Sequence, residues 1–328
     1  MKKIVKSEPT NPLELSKEEQ EYYSRQIVIT EMGYNAQLKL KQSKVCLLGV
    51  GGLGSPAAMQ LAAIGVGHLR IVDRDIVQLN PYIKVEPLTL SVNKETVEKL
   101  VKDMDVVVDG LDNMKARYAV NRACIKYKIP YVFGAAITTT GNVSTIMPNE
   151  TACLECFYGN LNDKNLPKCG VVGVHPSVIN VIASIEVSEA IRIITGREPR
   201  LMNKLLYFDL DELEINKIEL SKVEECPICG NNQTKPKLSL KHELVEEICG
   251  RKGKKVFLYI PKKNLDFDFK KIKKYFNNKG IKAKVEGKLG LTFESDEIKT
   301  SFLKSGIIIL EGIKEKNEAY KFFKEFTE

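Results

Sequence analysis

Two rhythms of apolar and polar positions run along the first half of the chain. Ser43-Lys44-Val45-Cys46-Leu47-Leu48-Gly49 is a short apolar run entering a glycine cluster, and Pro56 to Ile64 continues as an alanine-rich helical pattern. That sequence predicts strand, tight loop and helix. A second strand, His68-Leu69-Arg70-Ile71-Val72, ends at Asp73. Further strands are predicted at 83–90, 106–109 and 131–135, with helices at 94–102 and 115–128. Ahead of them, Ser16-Lys17-Glu18-Glu19 reads as a capping box opening a helix through about Glu31. Such alternation predicts an α/β domain with a doubly wound, mostly parallel sheet. From Ile137 to Met147 strand alternation replaces this rhythm, and Pro176–Gly196 reads as a long core helix. Residues 223–237, with two prolines, two asparagines and a C-x-x-C, mark a boundary. The pattern then restarts as helix, strand (255–260), helix (267–279), two strands near 281–293, strand (306–310) and a final helix (315–326), a small α+β module. The chain thus divides into residues 1–234 and 235–328.

Length agrees, since 328 residues exceed one ordinary domain of roughly 100–200. The apolar runs break before the roughly 18–20 residues of a bilayer span, so no membrane partner is expected. Met1 to Glu8 has basic residues with no apolar stretch behind them, which predicts a cytoplasmic protein. The net charge of +8 is concentrated: residues 235–328 carry 23 Lys+Arg against 14 Asp+Glu. Lysine clusters at 252–255, 262–263 and 270–274, with Phe267, Phe269 and Phe276 nearby, raise an acidic partner or RNA. A solvated lysine-rich face over core phenylalanines is the simpler reading, and the role of this module stays unassigned.

The glycine cluster, Gly49-Val50-Gly51-Gly52-Leu53-Gly54, satisfies G-x-G-x-x-G between a strand and a helix. It lets backbone approach phosphates and aims helix amides at an anion, as in Rossmann-like sheets. Asp73 ends the second strand, where a carboxylate can bond a ribose hydroxyl. These features do not separate ATP, NAD and FAD. Eight cysteines in a cytosolic chain point to metal or thiol chemistry, and four of them form two knuckles, Cys153-Leu154-Glu155-Cys156 and Cys226-Pro227-Ile228-Cys229. Together they make a tetrahedral structural zinc site with no open position. Cys46 and Cys124 read as packing residues.

On Tyr23-Ser24-Arg25-Gln26, the glycine cluster, Asp73-Arg74-Asp75, Leu111-Asp112-Asn113 and the paired knuckles, the chain resembles the MoeB/ThiF/HesA family over about residues 17–230. These are the activating enzymes of ubiquitin-like sulfur carriers. The resemblance implies an adenylyltransferase that uses ATP and Mg²⁺ to adenylate the C-terminal glycine carboxylate of a small β-grasp carrier ending in Gly-Gly. Pyrophosphate is released, and the sulfur serves cofactor or tRNA biosynthesis. It places Gly49, Gly51, Gly52, Gly54, Asp73, Asn80, Asp112 and Asn113 on the nucleotide. Asp112 follows a strand at the carboxyl edge of the sheet, where a carboxylate can hold Mg²⁺; the plainer reading of it is a helix N-cap. The resemblance also implies a homodimer in which Arg25 reaches the neighbouring subunit's site. Cys169 falls in a loop where some members carry the activated carrier or sulfur, and Lys168 before it would lower its pKa.

Between the second and third strands the family carries an asparagine-arginine segment and a crossover helix bearing a lysine, and this chain has neither. Asn80 stands near the family asparagine, one position short. Residues 76–82 are too few for a parallel crossover of about a dozen residues. The gap predicts an omitted segment, strands that are not parallel neighbours, or a scaffold that kept the fold and lost the activity. An NAD-dependent oxidoreductase would share the glycine cluster and Asp73, yet leaves the knuckles and Arg25 without a role.

Overall fold

A computed structural model describes residues 14–30, 32–72, 82–88, 90–163, 166, 172–231, 245–249, 255–259, 261, 267–287, 290–295, 298–304 and 306–327. Two compact units divide the chain, Met1–Leu166 with Val174–Leu238 and Pro167–Gly173 with Ser239–Glu328.

The first unit is built on strands β1 (Lys44–Leu48), β2 (His68–Val72), β3 (Lys84–Leu88), β4 (Val106–Asp109), β5 (Tyr131–Ile137), β6 (Thr140–Ile146), β7 (Lys204–Asp209) and β8 (Glu214–Glu219). They form one sheet in the order β3-β2-β1-β4-β5-β6-β7-β8. Neighbours from β3 to β5 pair parallel, and those from β5 to β8 antiparallel. Around it run α1 (Lys17–Tyr22), α2 (Ser24–Ile27), α3 (Gly33–Gln42), α4 (Gly54–Ile64), α5 (Val97–Val101), α6 (Met114–Tyr127), α7 (Leu154–Tyr158) and α8 (Pro176–Thr195). Val45, Leu47, Val106 and Val108 are fully buried, which is why β1 and β4 read as unbroken apolar runs. The chain runs outward from β1 through β2 to β3 and returns to lay β4 on the other side of β1. The topological switch point therefore lies between the carboxyl ends of β1 and β4.

Several expectations are corrected. The capping box forms, with Ser16 Oγ accepting from Glu19 N at 3.2 Å and Ser16 N donating to Glu19 Oε2 at 2.7 Å. The helix it opens does not reach Glu31, however; it breaks at buried Tyr23 into α1 and α2. Strands β7 and β8 were not anticipated, because β8 is an edge strand with all six residues exposed and carries no apolar alternation. Despite the short connection, β2 and β3 are parallel neighbours, pairing from His68 with Lys84 to Val72 with Leu88. The connection comprises residues 73–83, and at roughly 3.3–3.6 Å per residue it reaches about 36–40 Å when extended. That is ample to return along a five-residue strand.

The second unit has strands β9 (Val245–Cys249), β10 (Lys255–Tyr259), β11 (Ala283–Glu286), β12 (Gly290–Glu294), β13 (Lys299–Leu303) and β14 (Ile308–Glu311), with helices α9 (Phe269–Asn278) and α10 (Lys316–Thr327). The sheet is antiparallel throughout, ordered β11-β12-β13-β14-β10-β9. Where a helix was expected to open this module the chain forms β9, and β13 is an added strand. The phenylalanines are core: Phe276 stacks on Phe293 at 4.0 Å, and Phe267 and Phe302 are buried.

Helix α8 crosses the first sheet and brings Glu186 down on it, fully buried, with neither carboxyl oxygen hydrogen-bonded. It fits because β5 offers Gly134 there; a Cβ on that residue would stand 2.2 Å from Glu186 Oε1. Burial pushes the Glu186 carboxyl well above the ordinary glutamate range, with the nearby Asp109 charge adding to the shift. Above the ordinary value of 4.5 the unfolded chain ionises this group while the folded chain keeps the proton. Its contribution to stability is therefore complete below that pH and is lost as pH rises. Glu186→Gln is expected to stabilise the protein by about 1–2 kcal/mol at pH 8 and to leave it unchanged near pH 4.5. Urea unfolding at the two pH values checks this, and an equal effect at both would rule out a neutral buried acid.

Candidate functional site

At the switch point three glycines pack backbone against backbone. Gly49 ends β1 with a φ of 89°, a conformation that favours glycine. A Cβ on Gly54 would stand 1.9 Å from the Gly49 carbonyl oxygen, and one on Gly110 would stand 2.3 Å from the same atom. The tips of β1 and β4 and the start of α4 are thereby locked together. Gly51 faces open space, with nothing within 4 Å of a Cβ placed there, while one on Gly52 would meet Ile179 Cδ1 at 3.1 Å. Helix α4 begins without a side-chain cap, Leu53 occupying the N-cap; Ser55 N turns back to Gly51 O at 3.1 Å and Pro56 has no amide hydrogen, so an anion here is met by the backbone of the glycine cluster at the very start of the helix.

The neighbouring helix end is the opposite. Asn113, not Asp112, is the N-cap of α6, its Oδ1 accepting from Ala116 N at 2.8 Å. Asp163 then accepts from the two preceding amides, Met114 N at 2.7 Å and Lys115 N at 3.0 Å. Asp112 is exposed, and Asn113 Nδ2 donates to its Oδ1 at 2.9 Å. The expected N-cap role of Asp112 is thus filled by its neighbour, which leaves its carboxylate turned to solvent at the carboxyl edge.

Beneath this loop lies a buried charge network. Arg117 Nε donates to Asp109 Oδ2 at 3.0 Å, and Arg117 Nη2 donates to the carbonyls of Leu111 at 2.6 Å and Gly134 at 2.8 Å. The Tyr131 hydroxyl and Leu111 N also donate to Asp109. Burial pushes the Asp109 carboxyl up, an effect that Arg117 opposes. The network ties the strand end that carries Asp112 to β5.

Arg25 is exposed on α2, and its neighbour Gln26 donates from Nε2 to Ala63 O at 3.3 Å. Ala63 is near the end of α4, so Arg25 sits about 14 Å along that helix from the glycine cluster. One chain does not bring the two together. Asp73, Asn80 and Cys169 lie outside the described residues. The free cysteines behave as packing residues: Cys46 and Cys124 are fully buried, and burial pushes the Cys46 thiol up to about 12.

The two knuckles converge. The Sγ atoms of Cys153, Cys156, Cys226 and Cys229 all lie within 4.8 Å of one another, with Cys153 to Cys156 at 3.8 Å, Cys153 to Cys226 at 3.7 Å and Cys156 to Cys229 at 3.3 Å. Four thiolates about 2.3 Å from one tetrahedral zinc stand about 3.8 Å apart, so the set fits zinc. Residues between the first pair are tied to α6: Glu155 Oε1 accepts from Arg122 Nε at 2.7 Å, Glu155 Oε2 accepts from Asn121, and Leu154 N donates to Asn121 Oδ1 at 3.2 Å.

Gly110, Asp109, Arg117 and Asp163 were not picked out as site residues. A glycine between Asp109 and Asp112 carried a weak turn signal. Asp163 sits in an aperiodic loop, and nothing local marks it as the cap of a helix that begins 49 positions earlier.

A model of the ThiF family matches residues 23–80 and 76–228. The chain is 31% identical over 238 residues to the SAMP-activating enzyme E1 of Haloferax volcanii, covering 63% of this chain and 88% of that protein. It is 26% identical over 324 residues to the sulfur carrier protein ThiS adenylyltransferase of Bacillus subtilis, covering 88% and 94%. With the adenylyltransferase and sulfurtransferase MOCS3 of Culex quinquefasciatus it shares 31% identity over 247 residues, 66% of this chain but 56% of the relative, so it spans little more than half of that protein's length. A crystal structure of E. coli MccB shares the fold, with a TM-score of 0.57 at 22% identity over 66% of this chain and 74% of that one. The family match breaks at residues 76–80, inside the short β2–β3 connection. Alignment to the Bacillus protein spans 324 positions yet draws on 88% of a 328-residue chain, so that relative carries residues with no counterpart here.

The purified chain is expected to hold about one zinc per molecule. Cys156→Ser with Cys229→Ser should release it and lower the unfolding temperature by about 10 °C. Elemental analysis beside thermal unfolding checks both; a metal-free protein of unchanged stability would refute the assignment.

Proposed function

The chain belongs to the ThiF family of adenylyltransferases, and from that premise we propose that it adenylates the C-terminal glycine carboxylate of a ubiquitin-like sulfur-carrier protein. The carboxylate oxygen attacks the α-phosphorus of ATP, the bond from that phosphorus to the β-phosphate oxygen breaks, and acyl-adenylate and pyrophosphate result. The observation that carries the reading is the pair of unlike helix ends at the switch point: α4 without a side-chain cap beside open Gly51, and α6 fully capped with the Asp112 carboxylate exposed and held outside the helix by the Asn113 side-chain amide. Triphosphate belongs on the first and its counter-cation on the second. Asp112 would hold the Mg²⁺ that accompanies ATP, a charge that offsets the phosphates when bound. Asp73 and Asn80 are assigned to the ribose side of the nucleotide. Cys169 is assigned as the thiol that takes the acyl group from the adenylate, with AMP leaving. The three named relatives are activating enzymes or adenylyltransferases, which favours ATP over NAD.

Arg25 is assigned to the site of a second copy in a homodimer, in keeping with its distance from its own glycine cluster. A second reading has a specific support. The family match divides at residues 76–80, where the resemblance implies a nucleotide-contacting segment that this chain lacks, so a carrier-binding scaffold without turnover is the alternative.

Carrier-dependent exchange of labelled pyrophosphate into ATP separates the two, with candidate β-grasp proteins ending in Gly-Gly as substrates. Exchange is expected, reduced about 100-fold or more by Asp112→Asn. None from a folded, metal-loaded protein that still binds carrier would establish the scaffold. If Arg25 acts across a dimer, mixing the inactive Arg25→Ala and Asp112→Asn chains should restore about a quarter of wild-type exchange, since half of the dimers then hold one complete site. No recovery on mixing would place Arg25 outside the partner's site.

A further inference from the structure

Residues 153–163 run beside α6, from its middle to its first turn, and are bonded to it at every turn. Glu155 and Leu154 N engage Arg122 and Asn121; Leu161 N donates to the Tyr118 hydroxyl at 2.9 Å; Asp163 takes the amides of Met114 and Lys115. Positions 122, 118 and 114–115 are spaced three to four apart and so share one face of the helix. The segment starts at a cysteine of the metal-fitting cluster and ends next to Asp112.

We propose that Asp163 is a positioning residue that releases Asp112 from capping duty, with residues 153–163 as the strap that holds it there. This rests on the adenylation reading above. A helix start leaves amides that draw the nearest carboxylate. At α6 that carboxylate would be Asp112, adjacent to the Asn113 cap. With Asp163 on the first two amides and Asn113 on the third, the helix has no further use for Asp112. The Asn113 side-chain amide then holds Asp112 Oδ1 at 2.9 Å, outside the helix. Without Asp163, Asp112 turns in to replace it: the helix survives and the cation site is lost.

This substitution of one acid for another separates the role from plain stabilisation. Asp163→Ala should raise the Mg²⁺ concentration for half-maximal pyrophosphate exchange about tenfold, the equivalent of one charge-assisted hydrogen bond, with little change in unfolding temperature. Asp163→Asn, which keeps one acceptor, should fall between. In an Asp112→Ala background, Asp163→Ala should leave the residual exchange unaffected but lower the unfolding temperature, because no second side-chain acceptor remains to cap α6. An unchanged Mg²⁺ requirement in Asp163→Ala, or parallel losses of activity and stability in both backgrounds, would overturn the proposal. If the wild-type chain exchanges no pyrophosphate with any carrier, the adenylation reading fails, and amide hydrogen exchange decides the positioning. Met114 and Lys115 amides should then stay protected in Asp163→Ala and open only in the double variant. Full opening in Asp163→Ala alone would refute it.

Discussion

The contact of Gly49 with Gly54 and Gly110 is the constraint on which the rest of this site depends. Backbone atoms approach so closely there that a single added methyl would stand 1.9–2.3 Å from the Gly49 carbonyl oxygen. That closeness sets the first turn of α4 against the tips of β1 and β4, where the strand order reverses. It also fixes the loop from Gly110 to Asn113 relative to the glycine cluster. The distance between the start of α4 and the exposed Asp112 carboxylate is thus decided by main chain, the least adjustable part of the molecule.

Below this contact the sheet carries its charge in two different ways. On β4, Asp109 is buried with Arg117, Tyr131 and a backbone amide around it, a fully partnered network that braces the loop above. On α8, Glu186 is buried with no partner and keeps its proton instead. In the first, both Asp109 oxygens accept hydrogen bonds that offset part of the cost of burial. The second is tolerated because Gly134 yields the space and because a neutral acid is far less costly to bury than a carboxylate.

Helix α6 joins these pieces. Its N-terminus holds Asn113 and receives Asp163, its middle turns engage Glu155 beside the cysteine knuckles, and its buried Arg117 reaches β5. The cysteine cluster and the carboxyl edge are joined by the N-terminal half of one helix and the strap along it. A staple at one end is then a geometric condition at the other. The shortened connection between β2 and β3 leaves this arrangement intact, since a parallel return needs only reach, and the two strands pair in register from His68 to Val72.

How much of this was legible along the chain depended on whether the signal was local. Apolar runs and glycine spacing determined the doubly wound sheet, the glycine cluster and the long helix α8, because burial on both faces and close backbone approach leave marks within a few residues. Paired cysteines determined the metal-fitting cluster for the same reason. Strand β8 left no mark, since an exposed edge needs no apolar face, and the fate of the shortened crossover was beyond a rule about connection length. Only the tertiary structure decided that Asn113 rather than Asp112 caps α6, that Asp163 comes back across 49 positions to complete the cap, and that Gly134 makes room for Glu186. Each is a contact between residues distant in sequence. Nothing in a residue's neighbours encodes which remote carboxylate will satisfy a helix end; that is settled when the chain packs.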